Sequence, residues 1–275
     1  MNIDDIKPAN CYARARRLLG EVALVRDELG RFEDTRQVPE VSGAQPRECY
    51  FEAIAAWRKA ERLAYELGVP ASRAVPATPT LRDIKPGHVL QVLDGVLQTV
   101  TEVKARIGVA ETVVEPGVEP TRQPSDVLGT IIRINRELSR CLERPFTPTD
   151  VYETVALAST YATQLGATPE LAPFERKRKP QDCYEMLASC LTAAAKHVTS
   201  KGEHAQVLRG MPDNVQPGDV YDIAMLVLCE LAFLHSLTPN APAVQPFTPI
   251  GRGHRMPADV HRLARTLEKQ LNSMK

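Results

Sequence analysis

Counted from a recurrent proline, apolar residues fall at the fourth, eighth, eleventh, fifteenth, eighteenth and twenty-second positions, steps of four and three that mark one face of an α-helix. Three stretches hold this register without a slip. They are Cys11, Ala15, Leu18, Val22, Val25 and Leu29, then Cys49, Ala53, Ala56, Ala60, Leu63 and Leu67, then Val89, Leu93, Val96, Val100, Val103 and Ile107. The proline opens a phrase in which a polar residue follows two positions on, then Val or Cys, then usually Tyr or Leu. Pro148-Thr149-Asp150-Val151-Tyr152 is typical, and the phrase also starts at Pro8, Pro46, Pro86, Pro124, Pro180, Pro217 and Pro257. Eight copies make this a helical repeat.

Each copy carries its own start and stop. Proline suits the first helical position, where a missing N–H loses no partner, and an acid two residues later faces the positive end of the helix dipole. Lys7, Gln45, Lys85 and Lys179 precede their prolines and are poor caps, so the side chain inside the first turn is expected to satisfy the free N–H groups. Gly30, Gly68 and Gly108 stand at the twenty-third position, where a left-handed residue ends a helix. Later copies depart from this scheme. The fourth runs through Ile131, Ile134, Leu138 and Cys141 and then meets Pro145, which leaves a tight turn before the fifth. The fifth stops a turn early at Leu165-Gly166, and the sixth puts His197 at a core position. The seventh is apolar nearly all round from Ile223 to Leu237, so it is either the most buried helix or an interface.

The connections are long and rich in Pro, Val, Thr and Gly: Gly30 to Gln45, Gly68 to Lys85, Gly108 to Gln123, Gly166 to Lys179, Lys201 to Gln216 and Thr238 to Met256. Such a segment, extended at about 3.3 Å per residue, spans at least the ~33 Å of a 22-residue helix. It is long enough to run back along the helix, so that successive helices point the same way. An up-and-down bundle with slack loops is the competing topology. Four helices with one apolar stripe each close a bundle core, and the contraction at Pro145 divides the chain into residues 1–145 (repeats one to four) and 146–275 (repeats five to eight). The expected fold is all-α, an eight-copy helical repeat forming two four-helix units with long Pro-rich linkers.

Composition adds mainly exclusions. The 275 residues carry 34 Lys plus Arg and 34 Asp plus Glu, a balance that gives no basic field for nucleic acid. No stretch reads as the roughly 20 apolar residues of a membrane span, so membrane insertion is not expected. The first repeat begins almost at once, without a basic start and apolar run, which suggests the cytoplasm, or export with a leader removed. Of the six cysteines, five fall on the apolar stripe and read as small core residues, and no Cys-x-x-Cys pair occurs. Cys229 stands at a repeat position that is otherwise mostly polar, which marks it as a thiol at a surface or an interface.

Candidate chemistry is sparse. Tyr12, Tyr50, Tyr152, Tyr184 and Tyr221 share one repeat position and would gather at one end of a parallel bundle. They form an aromatic platform for a partner, or they pack on the proline ring and bond a linker backbone; the second weighs more, since a feature of nearly every copy serves the repeat itself. Arg176, Lys177, Arg178 and Lys179 before helix six, and Arg252 and Arg255 with His254 before helix eight, are candidate anion sites. The six histidines lack metal-ligand spacing, and phosphate-loop, dinucleotide, nucleophile-elbow and Glu-x-x-His di-iron motifs are absent. No cofactor and no enzymatic activity are expected. The expected function is a helical-repeat scaffold or interaction protein that binds a protein partner or itself. The alternative is a ligand-sensing bundle domain of a receptor.

Overall fold

All eight prolines begin helices. The computed structural model describes residues 2–70, 74, 77–244 and 253–274 and is all-α: α1 (Pro8–Glu28), α2 (Pro46–Glu66), α3 (Pro86–Ile107), α4 (Pro124–Cys141), α5 (Pro148–Gln164), α6 (Pro180–Ser200), α7 (Pro217–Leu237) and α8 (Pro257–Ser273). Short 3₁₀ turns at Ile3–Asp5 and Leu81–Asp83 precede α1 and α3, and the strands β1 (Glu40–Ser42) and β2 (Val207–Arg209) lie in linkers. The third helical residue caps every helix from within. Its side chain accepts the backbone N–H just ahead of the proline, as Glu48 does from Gln45 at 2.6 Å and Asp126 from Gln123 at 2.8 Å. Asp150, Asp182, Asp219 and Asp259 repeat the bond, and Asn10 and the His88 ring make it in the two copies without an acid. This is half of a capping box. At the other end Gly30, Gly68 and Gly108 adopt φ of 64°, 66° and 85°, so the chain leaves each helix without Cβ strain.

The chain divides into two compact units, Met1–Pro145 and Phe146–Lys275. In the first, α1 packs on α3 and α4, and α2 on α3 and α4, which leaves α1 and α2 diagonal. In the second, α5 and α6 each pack on α7 and α8. Both units are parallel bundles. Pro8, Pro46, Pro86 and Pro124 line one cavity of about 10 Å³ together with Cys11, Cys49, Val89 and Val127, so all four helices start at the same end. Pro148, Pro180, Pro217 and Pro257 do the same around about 20 Å³. Neither space holds more than about one water. Four aligned dipoles concentrate partial positive charge at that end, and the acids of the first turns offset it.

Parallel neighbours require each linker to travel the length of the bundle, and polar ties hold them down. The segment after α1 passes the Glu137 carboxylate at Asp34 and returns to Ser125, whose hydroxyl accepts from the Ala44 N–H at 3.2 Å. The segment after α3 runs back along α1: Glu21 accepts the Val113 N–H at 3.0 Å and Glu115 takes Arg14 at 2.9 Å. Beneath it Lys104 and Glu21 form an ion pair with side chains 4% and 3% exposed. The segment after α5 follows α8, with Lys269 on Glu170 and the Thr266 hydroxyl on the Ala172 N–H.

The core follows the stripe, with Leu18, Leu93, Leu138 and Leu187 at 0% exposure. The seventh helix is buried at every residue from Gly218 to Leu234. The expectation that no stretch suits a membrane needs correction here. By length and composition α7 is apolar enough to cross one, and 83% of its most apolar window is buried inside the protein. Asp219, Asp222 and Glu230 lie within the helix and are themselves buried.

All six thiols are buried. Cys11, Cys49 and Cys183 point their Sγ atoms at the carbonyls of Pro86, Pro124 and Pro257, at 3.1, 3.3 and 3.2 Å, so the copies with Cys in place of Val gain a weak bond to a neighbouring helix. Burial pushes Cys11, Cys141 and Cys183 up to about 12. The native protein is therefore expected to leave all six unreacted toward Ellman's reagent at pH 8, and guanidinium to release all six; a thiol that reacts in the native state would show that its helix opens.

Candidate functional site

A cleft of about 700 Å³ opens in the first unit between α1, α4 and the linker that follows α1. From α1 it takes Leu19, Ala23 and Arg26, from α4 Arg133, Arg136 and Glu137, and from the linker the run from Glu33 to Val38. The walls are built by interlocked charges. Arg26 donates to Glu137 at 2.8 Å and to Asp27 at 2.7 Å. The second oxygen of Glu137 accepts the Asp34 N–H at 3.2 Å. Asp34 accepts from Arg36 Nε at 2.9 Å, and Arg136 donates to the carbonyls of Arg36 and Gln37 at 3.3 and 3.0 Å. Burial works against both Arg26 and Asp34, but their hydrogen-bonded partners outweigh it. Arg26 is held above the ordinary arginine range and Asp34 below the ordinary 3.8, so both stay charged at neutral pH.

Arg133 differs from these. It is exposed on α4, faces the cleft, and has no hydrogen-bond or ion-pair partner among the described residues. The second unit offers an internal comparison. Thr266 and Gln270 occupy in α8 the repeat positions of Arg133 and Glu137. There Thr266 seats Ala172 directly against the helix at 3.0 Å, and Gln270 bonds Ser159 at 2.6 Å. The arginine-walled cleft is therefore not a requirement of the repeat.

The five repeat tyrosines do stand at the N-terminal ends of their bundles, but little ring surface is presented: Tyr12, Tyr50, Tyr184 and Tyr221 are buried and Tyr152 is half-buried. Three of them pack against the residue two places before a neighbouring helix's proline. Arg122 lies 4.4 Å over the Tyr12 ring, Arg255 4.4 Å over Tyr152, and Phe146 4.3 Å from Tyr221. Ile6, Ala44, Ile84 and Val215 hold that same position elsewhere and are buried. In these three copies the residue two places before the proline reaches a neighbouring helix, whereas Arg178 at that position pairs with Glu175 and Asp182; its chemistry changes from copy to copy.

The basic run does not converge on a site. Arg178 is paired with Glu175 and with Asp182 at 3.4 Å, while Arg176, Lys177 and Lys179 are exposed around it. Arg255 is taken up by Tyr152, and Arg252 lies outside the described residues. Cys229 is fully buried. Among the described residues no group of three or more His, Cys, Asp and Glu side chains is placed to hold a metal ion. His197 sits at the core edge with its Nε2 2.7 Å from the Leu271 carbonyl.

His261 replaces tyrosine in the last copy and is 6% exposed. Burial first, then the charges of Arg178 and Arg265, hold it below its ordinary 6.5 against the opposing pull of Asp182 and Glu268. A depressed folded-state pKa means that the unfolded chain takes up the proton first, so stability present above pH 6.5 is lost as pH falls below it. His261→Tyr is expected to remove that part of the acid loss, read as the urea midpoint at pH 7.5 and 5.5. An equal drop in both proteins would place the acid sensitivity elsewhere.

Comparison with protein-family models, curated proteins and solved structures finds no match to the chain.

Proposed function

We propose that the chain is a non-enzymatic interaction protein whose helical repeats carry linkers that form its recognition surface, for a protein partner or a second copy of itself. What supports this is where the exposed apolar side chains lie. Among the described residues, Phe32 (83% exposed), Val114 (88%), Leu171 (68%), Phe174, Val118, Val207 and Met256 stand outside the helices, and Tyr65 (78%), near the end of α2, is the exception. Several belong to segments strapped down by ties such as Glu21 to Val113 and Lys269 to Glu170. Apolar groups held out on a rigid strap favour being covered, and docking them costs little ordering entropy.

Two measurements test the reading: light scattering over a concentration series, and affinity capture with the wild type and with a Val114→Ser, Leu171→Ser, Phe174→Ser variant. Growth above the 30.4 kDa monomer, or a captured protein, that the variant loses at unchanged circular dichroism supports it. A constant monomer mass with identical capture by both proteins rejects it. The alternative, a ligand-sensing domain, draws on a different observation, the 700 Å³ cleft.

A further inference from the structure

We infer that the cleft between α1 and α4 binds a small organic monoanion with an apolar body, its carboxylate or sulfonate held by Arg133. This does not depend on the linker surface proposed above. The volume, about 700 Å³, lies within the ~300–1,000 Å³ of small-molecule sites. The lining holds four arginines (26, 36, 133 and 136) and three acids (Glu33, Asp34 and Glu137), and a fourth acid, Asp27, lies against Arg26 from outside it. What the cleft offers an anion is therefore one partnerless cation and not a net positive field.

The geometry identifies that cation. Arg26 and Arg36 face Glu137 and Asp34, and Arg136 is turned onto the linker carbonyls. Arg133 alone among the four has no partner among the described residues, and its planar fork suits a carboxylate or sulfonate. The three acids in the same wall would repel a phosphate dianion, an acidic peptide or a nucleic acid. Leu19, Ala23 and Val38 supply a half-buried apolar floor, which gives an aliphatic or aromatic body a reason to bind. In the second unit Thr266 seats the linker at the position of Arg133, while Gln270, at that of Glu137, bonds Ser159 of α5. The first copy also has an arginine at the Arg133 position, Arg17, but it faces Glu21 and Glu115, so the partnerless guanidinium is that of Arg133.

The test uses 8-anilinonaphthalene-1-sulfonate as a fluorescent reporter on the full chain, displaced by hexanoate, inorganic phosphate or a hexaglutamate peptide. Hexanoate is expected to displace the dye from the wild type and from Lys196→Gln, a control that removes an exposed charge from α6 in the other unit. It is expected to bind Arg133→Gln about tenfold or more weakly, the worth of a charge-assisted hydrogen bond. Because Arg133 is exposed and unpaired, that variant should unfold at the wild-type midpoint. Equal displacement from the wild type and Arg133→Gln, or none from the wild type, would overturn the site. Phosphate or hexaglutamate competing more strongly than hexanoate would overturn the ligand class.

Discussion

Replacing Glu21 with alanine is expected to destabilise the first unit by about 3–5 kcal/mol, the cost of stranding one member of a buried ion pair. Glu21 and Lys104 have side chains 3% and 4% exposed, so water cannot take over the lysine's charge without opening the bundle. The same carboxylate accepts the Val113 N–H, and its loss also frees the strap along α1. The double variant Glu21→Leu, Lys104→Met should regain most of the stability, since no charge is then left buried. It should still lack the acceptor for Val113, a deficit of about 1–3 kcal/mol. Guanidinium unfolding followed through Trp57, the single tryptophan and a residue of α2, reads the first unit directly. A loss below about 1 kcal/mol for Glu21→Ala would mean that the pair is hydrated in solution.

Gly95→Ala should destabilise by about 1–3 kcal/mol, although helix propensity alone predicts a gain of ~1 kcal/mol for replacing a mid-helix glycine. A Cβ at Gly95 would overlap Cζ3 and Cη2 of Trp57 and stand 2.9 Å from Cε3. Trp57 is 4% exposed, so its ring has little room to withdraw. Gly129 in α4 is the matched control: a Cβ there meets nothing within 4 Å, and Gly129→Ala should stabilise by up to about 1 kcal/mol. Opposite signs for two glycines that look alike in the sequence are the expected outcome. The same sign for both would refute the packing of α2 on α3 described above.

The interior of each helix was legible because one residue type answers one local demand. Proline, the first-turn acid and the closing glycine satisfy backbone requirements met within a few residues, and Cys11, Ala15, Leu18, Val22 and Val25 are all buried as their spacing implies. The apolar character of α7 likewise announced its burial. The arginine cleft was not legible, because Arg26, Arg36, Arg133 and Arg136 belong to one surface only after the linker has crossed α4. The contiguous basic run before α6 drew attention instead, yet Arg178 is absorbed by Glu175 and Asp182. The contact made two places before three of the prolines was hidden for a related reason: Arg122, Arg255 and Phe146 pack on a neighbouring helix's tyrosine with unlike chemistry.

What the sequence by itself determined, then, is the set of helices, their ends and their inward faces, since periodicity and capping act over about one to six turns of chain. Which helix neighbours which was left open, because eight similar stripes fit one another about equally well. Only the tertiary structure decided that, through long-range ties such as Glu21 to Lys104 and Arg26 to Glu137. Those pairs join residues 83 and 111 positions apart; a charge buried at one of them finds its partner only in the parallel arrangement, and leaving it unpaired costs more than any local preference supplies.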